Sequence, residues 1–515
     1  MRLLTTSDSV APVNRPCWTR ASSLILCALM AGAAVLRFSF LVRKRFWFDE
    51  YFSVEVARLG WSDFAMLLWR REANMSLYYL LLRGWLHFDS SPFFIRSLSV
   101  IFSLATLPAI FWLAGKLYDR RVALLAVALM SVNAYHIRYA QEARSYSLFV
   151  LLATLSSGFF VATAHKPSRR NRLLYVLFSV LAVYAHLYAL LLLAAQWLSV
   201  QKWGRNQIDL RARAQLQAWI WIGIATLPLI IFVAKTGAGP IRWIHRPEPH
   251  DLLEFAEHLA GNDGLLLLLL FVTACAYAVL PRKPTGELSE AELDWLAWRL
   301  RFLSLWLIFP VILVLLLSLA RPLFLGRYFI FCLPAFAILA AAGIAKVHNR
   351  WILALSLVAI LALSLQGTFS YYHHDFDLER DDSQAATYYV LDHAQAGDAI
   401  MFHIAEARVP YEFFKSIRNA TSESSAERPT IVYPRHGERL DYRDFSGKPA
   451  SDLADSTSKR YSRLWLVLMS NGLPGNPDAT TLMLDQTLGN SYALVDRQQF
   501  TQVEVRLYTS LHTSP

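Results

Sequence analysis

The sequence predicts a polytopic α-helical membrane protein of about 11 transmembrane helices followed by a small C-terminal α/β domain. Of its 515 residues, 55% are hydrophobic and only 17% are charged, where a soluble chain of this size carries about a quarter charged residues. Apolar runs close to the ~20 residues that a spanning helix needs recur through residues 1–370. The charge balance then reverses. Lys and Arg number 36 against 19 Asp and Glu in 1–370, but 14 against 20 in 371–515. Two different environments are being solvated.

The runs fall at 21–42, 93–117, 121–138, 143–164, 172–185, 187–201, 216–235, 262–281, 302–320, 323–345 and 351–370. The fifth and sixth are short and meet at Tyr184-Ala185-His186. The first is long, lacks a small-residue cleavage site, and reads as an anchor. The loops 116-KLYDRR-121, 165-HKPSRRNR-172, 202–214, 281–301 and 346-KVHNR-350 are all basic. With the N-terminus inside, an odd number of spans puts all of them on the cytoplasmic side and residues 371–515 outside. Because the basic total sits in loops between spans, nucleic acid is not an expected partner. Cys17, Cys27, Cys275 and Cys332 are scattered singly, with neither a disulfide framework nor a metal knuckle in their spacing.

Residues 1–370 thus form the membrane domain, with a first outer loop at 43–92. That loop holds two stretches too short or too interrupted to span, 50–69 and 76–88. Both read as amphipathic helices lying in the interface, with Trp and Tyr at headgroup depth. From Tyr371 the pattern changes. Helices are expected at 383–394 and 408–417, and strands at 398–403, 429–434 and 463–470. One or two further strands are expected in 492–510. This alternation suggests an α/β domain.

Some charges break the orientation rule. Outward loops should be poor in Lys and Arg, yet 43-RKRFWFDE-50, 135-YHIRYAQEARSYS-147, 241-IRWIHRPEPHD-251 and 321-RPLFLGRYF-329 are basic. A bound anion would account for them, since an Arg fork matches phosphate oxygens bidentately. Arg138, Arg144 and Arg327 suit the phosphate of a lipid carrier at headgroup depth. The plainer alternative is snorkelling of arginines at span ends. Asp49 and Glu50 pose the mirror problem. They either complement a helix dipole, or Asp49 serves as a general base while Glu50 orients it or helps to hold a divalent metal. Residues alone leave that choice open. His186 and Tyr188 lie where two spans meet, as pocket lining or as packed core. The stretch 375-DFD-377 matches an Asp-x-Asp metal motif but follows a span, so coincidence is the better reading; 265-LLLLLL-270 reads as a lipid-facing wall.

FDEYFS at 48–53, LYYLLLRGW at 77–85, IRSLSVIFSL and GKLYDRRVALLA within 95–126, AYHIRYAQEARSYSLFVLLA at 134–153 and GRYFIFCLPAFAIL at 326–339 occur in that order. Together they resemble the bacterial membrane glycosyltransferases of the GT-C superfamily. The likeness is to the family 39-like group related to protein O-mannosyltransferases and the aminoarabinose transferases of lipid A. The resemblance implies an inverting transferase in the bacterial inner membrane with an extracytoplasmic C-terminal domain. Such an enzyme takes a sugar from a polyprenyl-phosphate carrier and passes it to a hydroxyl on a lipid, glycan or protein. It carries the catalytic base onto Asp49 and the second acid of the motif onto Glu50. Arg138, Glu142, Arg144, Tyr146, His186, Arg327 and Tyr328 become candidates for holding the donor. Asn74 is a further candidate, but it departs from the pattern: Asn74-Met75-Ser76 stands where many relatives carry His-Pro-Pro or Lys-Pro-Pro. An amide there can only hydrogen-bond.

Two other classes compete. A lipid or glycan transporter is also polytopic, but it usually shows repeats and mid-membrane broken helices; no repeat is visible here. A non-catalytic assembly subunit would not require Asp49.

Overall fold

The computed structural model describes residues 19–511 apart from 71, 202–207, 238–243, 262–263, 281–288, 374–380, 422–428, 435–446, 470–471 and 474–475. Cys17, Arg242 and the 375–377 acids lie outside the described residues, as do parts of the loops at 202–214 and 281–301. By its contacts the chain divides into two units. One comprises Met1–Leu41, Ala73–Tyr78 and Arg96–His374; the other comprises Val42–Glu72, Tyr79–Ile95 and Asp375–Pro515.

In chain order the first helices are α1 (Arg20–Phe38), α2 (Phe48–Arg58), α3 (Trp61–Arg70), α4 (Ser76–Trp85), α5 (Pro92–Leu117), α6 (Arg120–Val132), α7 (Ala134–Ala140) and α8 (Tyr146–His165). There follow α9 (Arg169–Ala185), α10 (Ala189–Val200), α11 (Ile208–Thr236), α12 (Pro249–Ala260), α13 (Leu265–Val279) and α14 (Glu290–Ser318). A 3-10 segment at Gly326–Cys332 runs into α15 (Leu333–Ala345), and α16 is Arg350–His373. The C-terminal region holds α17 (Ser383–His393), β1 (Ala399–His403), α18 (Arg408–Thr421), β2 (Thr430–Tyr433), α19 (Ser451–Ser458) and β3 (Arg463–Met469). A two-residue pair, β4 (Gly472–Leu473) and β5 (Asn476–Pro477), precedes α20 (Ala479–Gly489), β6 (Tyr492–Phe500) and β7 (Val503–Ser510).

Each of the eleven apolar runs is helical, but fewer are spans by length. Among the described residues seven helices are long and apolar enough to cross a bilayer, or nine when each of two bent pairs counts as one. The remaining two runs are α9 and α10, of 17 and 12 residues. At 1.5 Å per residue they reach about 26 and 18 Å, short of the ~30 Å hydrocarbon core. Of the roughly eleven spans expected, nine are therefore long enough among the described residues when both bent pairs are counted, and the two short ones are the runs that meet at His186. Large apolar side chains stand exposed on α16 (Leu355, Val358, Leu361) and α13 (Leu265, Leu266, Leu269), a surface suited to lipid. The 265–270 run is only partly such a wall, because Leu267 and Leu268 are buried.

The bent pairs are α6 with α7, at 61°, and α12 with α13, at 74°. Backbone freed by a break must find new partners where water is absent. Asn133 stands at the first break. Its Oδ1 accepts from the His136 N–H at 2.9 Å, capping α7, and its Nδ2 donates to the Leu259 carbonyl in α12 at 3.1 Å. Gly261 ends α12 at φ +131, and a Cβ on it would come within 3.3 Å of Asn133 Nδ2. Arg37 satisfies the other side of the break. Its guanidinium donates to the carbonyls of Ser131 (2.9 Å) and Met130 (3.2 Å) at the end of α6. It also reaches Ser103 Oγ at 2.7 Å and His136 Nδ1 at 2.9 Å. Gln141 Nε2 in turn caps the end of α1, donating to the carbonyls of Arg37 and Ser39.

In the second unit a five-stranded sheet runs in the order β2-β1-β3-β7-β6. β1 pairs parallel with both β2 and β3, while β7 is antiparallel to β3 and to β6. Side chains alternate across the sheet, so the two faces build two cores. Ile400, Phe402, Trp465 and Val467 pack with Val390 and Leu391 of α17 and Tyr411 of α18. Ala399, Met401, Leu464 and Leu466 pack with Ala454 of α19 and Leu484 and Leu488 of α20. Helices on both faces explain why β1 and β3 read as continuous apolar runs. The first-loop helix α2 joins this unit. Phe48 packs against the α17–α18 core, and the Tyr51 hydroxyl donates to both oxygens of Asp381 at 3.0 and 2.9 Å. Phe46 stacks on Phe413.

Close backbone packing singles out Gly343 of α15. A Cβ there would lie 1.8 Å from the Ala274 carbonyl of α13. We expect Gly343→Ala to cost about 1–3 kcal/mol by forcing the helices apart. Gly32→Ala, with nothing within 4 Å, should be neutral or stabilising. Thermal melts of the two purified variants check this; equal melting temperatures would refute the tight contact.

Candidate functional site

The segment from α7 to α8 carries most of the chemistry. α7 is seven residues long and presents Tyr135, Arg138 and Tyr139 before ending at Gln141. Residues 141–145 have no regular structure, and α8 begins at Tyr146. Glu142, Arg144 and Tyr146 are buried. Arg138 Nε lies 3.7 Å from Glu142 Oε1. The irregular stretch is held at both ends: Ser147 Oγ donates to the Tyr139 carbonyl at 2.9 Å, and Ser99 Oγ to the Arg144 carbonyl at 3.3 Å.

A second turn, residues 186–188, separates α9 from α10. Asn74 Oδ1 accepts from the Leu187 N–H at 3.1 Å, and the Tyr188 hydroxyl donates to the Leu323 carbonyl at 2.6 Å. The Tyr188 N–H donates to His186 Nδ1 at 3.2 Å, which places the proton of a neutral ring on Nε2. That nitrogen is buried and has no hydrogen-bond partner among the described residues. Buried donors are nearly always paired, so this N–H is available to an acceptor from outside the chain.

Rings tie these segments to the Gly326–Cys332 turn. The His186 ring lies 6.3 Å from Tyr146, 5.3 Å from Tyr188 and 4.8 Å from Tyr328. The positive charges of Arg144 and Arg327 both act on it. Tyr135 feels Arg138 and Arg327, and its hydroxyl donates to the Gly326 carbonyl at 3.1 Å. The structure therefore brings Asn74, Arg138, Glu142, Arg144, Tyr146, His186, Arg327 and Tyr328 into one neighbourhood. Two helix N-termini belong to it as well. α8 and α10 begin at Tyr146 and Ala189, and neither has a side-chain cap. At α10 the first N–H groups, on Ala189, Leu190 and Leu191, already donate to the carbonyls of His186, Leu187 and Tyr188, so what its start offers an anion is the positive end of the dipole, as at α8. Arginines, tyrosine hydroxyls, an imidazole N–H and the α8 start together suit a phosphate.

Tyr135 and Tyr139 were not singled out by sequence. They stand four residues apart on α7, with rings 5.0 Å from one another and Tyr139 4.7 Å from Tyr146. That i, i+4 spacing was the available signal. The 241–251 cluster contributes differently. His245 and His250 lie beside Asp251, and His250 beside Glu248, at the start of α12.

Asp49 and Glu50 belong to the other unit. Both sit in the first turn of α2, where acids complement the helix dipole. Glu50 is fully buried, and both have polar or electrostatic partners. The Asp49 carbonyl accepts from Ser53 Oγ at 2.7 Å. Among the described residues no group of three or more His, Cys, Asp or Glu is arranged to hold a metal ion.

Solved structures show what this fold is similar to. ArnT from Cupriavidus metallidurans in the apo state superposes at a TM-score of 0.62, with 10% identity, over 95% of this chain and 98% of that one. ArnT from the same organism bound to undecaprenyl phosphate gives 0.60 and 11%, over 96% and 100%. The arabinofuranosyltransferase AftD from Mycobacteria gives 0.51 and 16%, over 96% of this chain and 42% of that one. No family model matches the sequence, and no curated protein does. The chain is a polytopic helical membrane protein with a C-terminal α/β region and an ArnT-like fold.

Asn74 holds the His186 turn from 113 residues away. Asn74→Ala should leave the Leu187 N–H without its acceptor and cost about 1–3 kcal/mol, while Asn74→Asp keeps an acceptor. Melting temperatures in detergent test this. An unshifted Asn74→Ala would show that the contact holds nothing.

Proposed function

We propose that this protein is an inverting glycosyltransferase that moves a sugar from a polyprenyl-phosphate carrier to a hydroxyl acceptor on the outer face of a bacterial inner membrane. The observation that carries the reading is the cluster of buried Arg144 and Tyr146 at the start of α8 with half-buried Arg138, Arg327 and Tyr328. The ArnT-like fold supports it, one of those structures being bound to undecaprenyl phosphate. Outside the cell there is no nucleotide sugar, which favours a lipid-carried donor. The basic loops of the sequence support the outward placement of residues 371–515.

In this reading Arg144, Arg327 and Arg138 hold the carrier phosphate, with Glu142 keeping Arg138 in place. Tyr146, Tyr328 and the His186 Nε2–H add hydrogen bonds. The bond from the anomeric carbon to the phosphate oxygen breaks, and the electron pair stays on the phosphate. The fixed positive charges stabilise that leaving group as it forms, which is electrostatic transition-state catalysis. The acceptor oxygen attacks the opposite face, and its proton passes to Asp49 as general base. Glu50 orients Asp49. A divalent metal at these acids is a separate question, answered by transfer assays with and without chelator.

A transporter reading draws on the two bent helix pairs, since broken helices mark many transporters. Measuring carrier movement and sugar transfer in the same vesicles separates the two.

Three variants test the mechanism. Asp49→Asn should keep donor binding and lose transfer by about 10²–10⁴-fold. Full transfer by that variant would remove the base assignment. Arg144→Ala and Arg327→Ala should each weaken donor binding on the order of tenfold or more. Unchanged affinity would return both arginines to snorkelling.

A further inference from the structure

A groove of about 370 Å³ opens in the second unit. Arg43, Lys44 and Arg45 give it a basic side, and Phe93, Tyr388 and Phe413 an aromatic one. None of these residues has a part in the transfer reaction above. Arg45 is fixed by an ion pair with Asp382 at 3.0 Å, and Asp382 caps α17 through the Ala385 N–H. The rim is therefore anchored to a helix start.

Chain connectivity sets its depth. Arg43 follows the last residue of α1, Phe38, by five positions, which is at most about 17 Å of extended chain. Phe93 lies in the first turn of α5. Both helices are candidate spans, so the groove is lined by the segment that follows one span in the chain and by the first residues of the next. That is where headgroups lie and where aromatic rings and cations collect.

We infer that this groove binds the phosphate-bearing headgroup of an anionic membrane lipid. The phosphate sits on Arg43 with the charge of Arg45 beside it, and the glycerol and first methylenes lie against Phe93 and Phe413. A free anion would use the cations and gain nothing from the rings. A zwitterionic lipid would bring its own cation to a basic rim.

The test uses the full chain purified in detergent, titrated with dioctanoyl phosphatidylglycerol, dioctanoyl phosphatidylcholine and inorganic phosphate, with binding read by native mass spectrometry. The anionic lipid should bind saturably and about tenfold or more tighter than the zwitterionic one. Arg43→Glu, a charge reversal at an exposed position, should weaken it about tenfold or more. Gln384→Glu, which also lines the groove, should weaken it several-fold. An acid in the first turn of α17 favours the helix, so its melting temperature should hold while binding falls. The exposed pair Arg169→Glu with Arg170→Glu should leave binding unchanged. Equal binding of both lipids, wild-type binding by Gln384→Glu, or competition by inorganic phosphate at the lipid's own concentration would each overturn the assignment.

Discussion

The break at Asn133 strips helical partners from the last carbonyls of α6, and Arg37 supplies them. In a unit this apolar each unpaired carbonyl costs about 1–3 kcal/mol, so a break without such a donor would not persist. The arginine is itself fully buried and tolerates that position because its donors find four partners on α6, α7 and α5. The break and the buried cation are thus mutually dependent. What they produce is α7, a short helix turned 61° from α6, whose residues lead directly into the arginine-bearing stretch at 141–145.

The same logic organises the rest of the neighbourhood. Asn133 spends one side of its amide on α7 and the other on α12, so the two bent pairs satisfy one another. Asn74 does for the His186 turn what Asn133 does for α7. Backbone that would be intolerable in a continuous span is admitted here because protein groups line it. The result is a place where two helices begin without side-chain caps and arginines gather.

Much of this could be read from the residues, and the misses have physical causes. Apolar runs reported the candidate spans apart from α12, since burial and lipid demand the same side chains. They did not report where a run breaks. Nothing local in 121–138 distinguishes Asn133 from a tolerated polar residue, because its partner Leu259 is 126 residues away. The strands β1, β3, β6 and β7 were legible from their apolar patterning. Helices α19 and α20 were not, because Ser, Thr and Asp dominate α19 and such residues compete for backbone hydrogen bonds as in turns. At the site, Arg138, Arg144 and Arg327 stood out because they violate the charge rule of outward loops. Asn74 stood out only as a departure from a family pattern; its contact with the His186 turn needed the coordinates.

The pairing of Tyr51 with Asp381 links residues 330 positions apart, and that separation bears on how the protein is made. Helix α2 reaches its place during synthesis long before α17, α18 or any strand of the sheet exists. At about 5–20 residues per second the ribosome needs roughly 15 to 65 s to deliver them. Throughout that interval Phe48, Tyr51 and their neighbours have no native core to enter, and the membrane surface is the nearest apolar shelter. Assembly of the second unit is therefore a late event, completed only once its C-terminal strands have been synthesised.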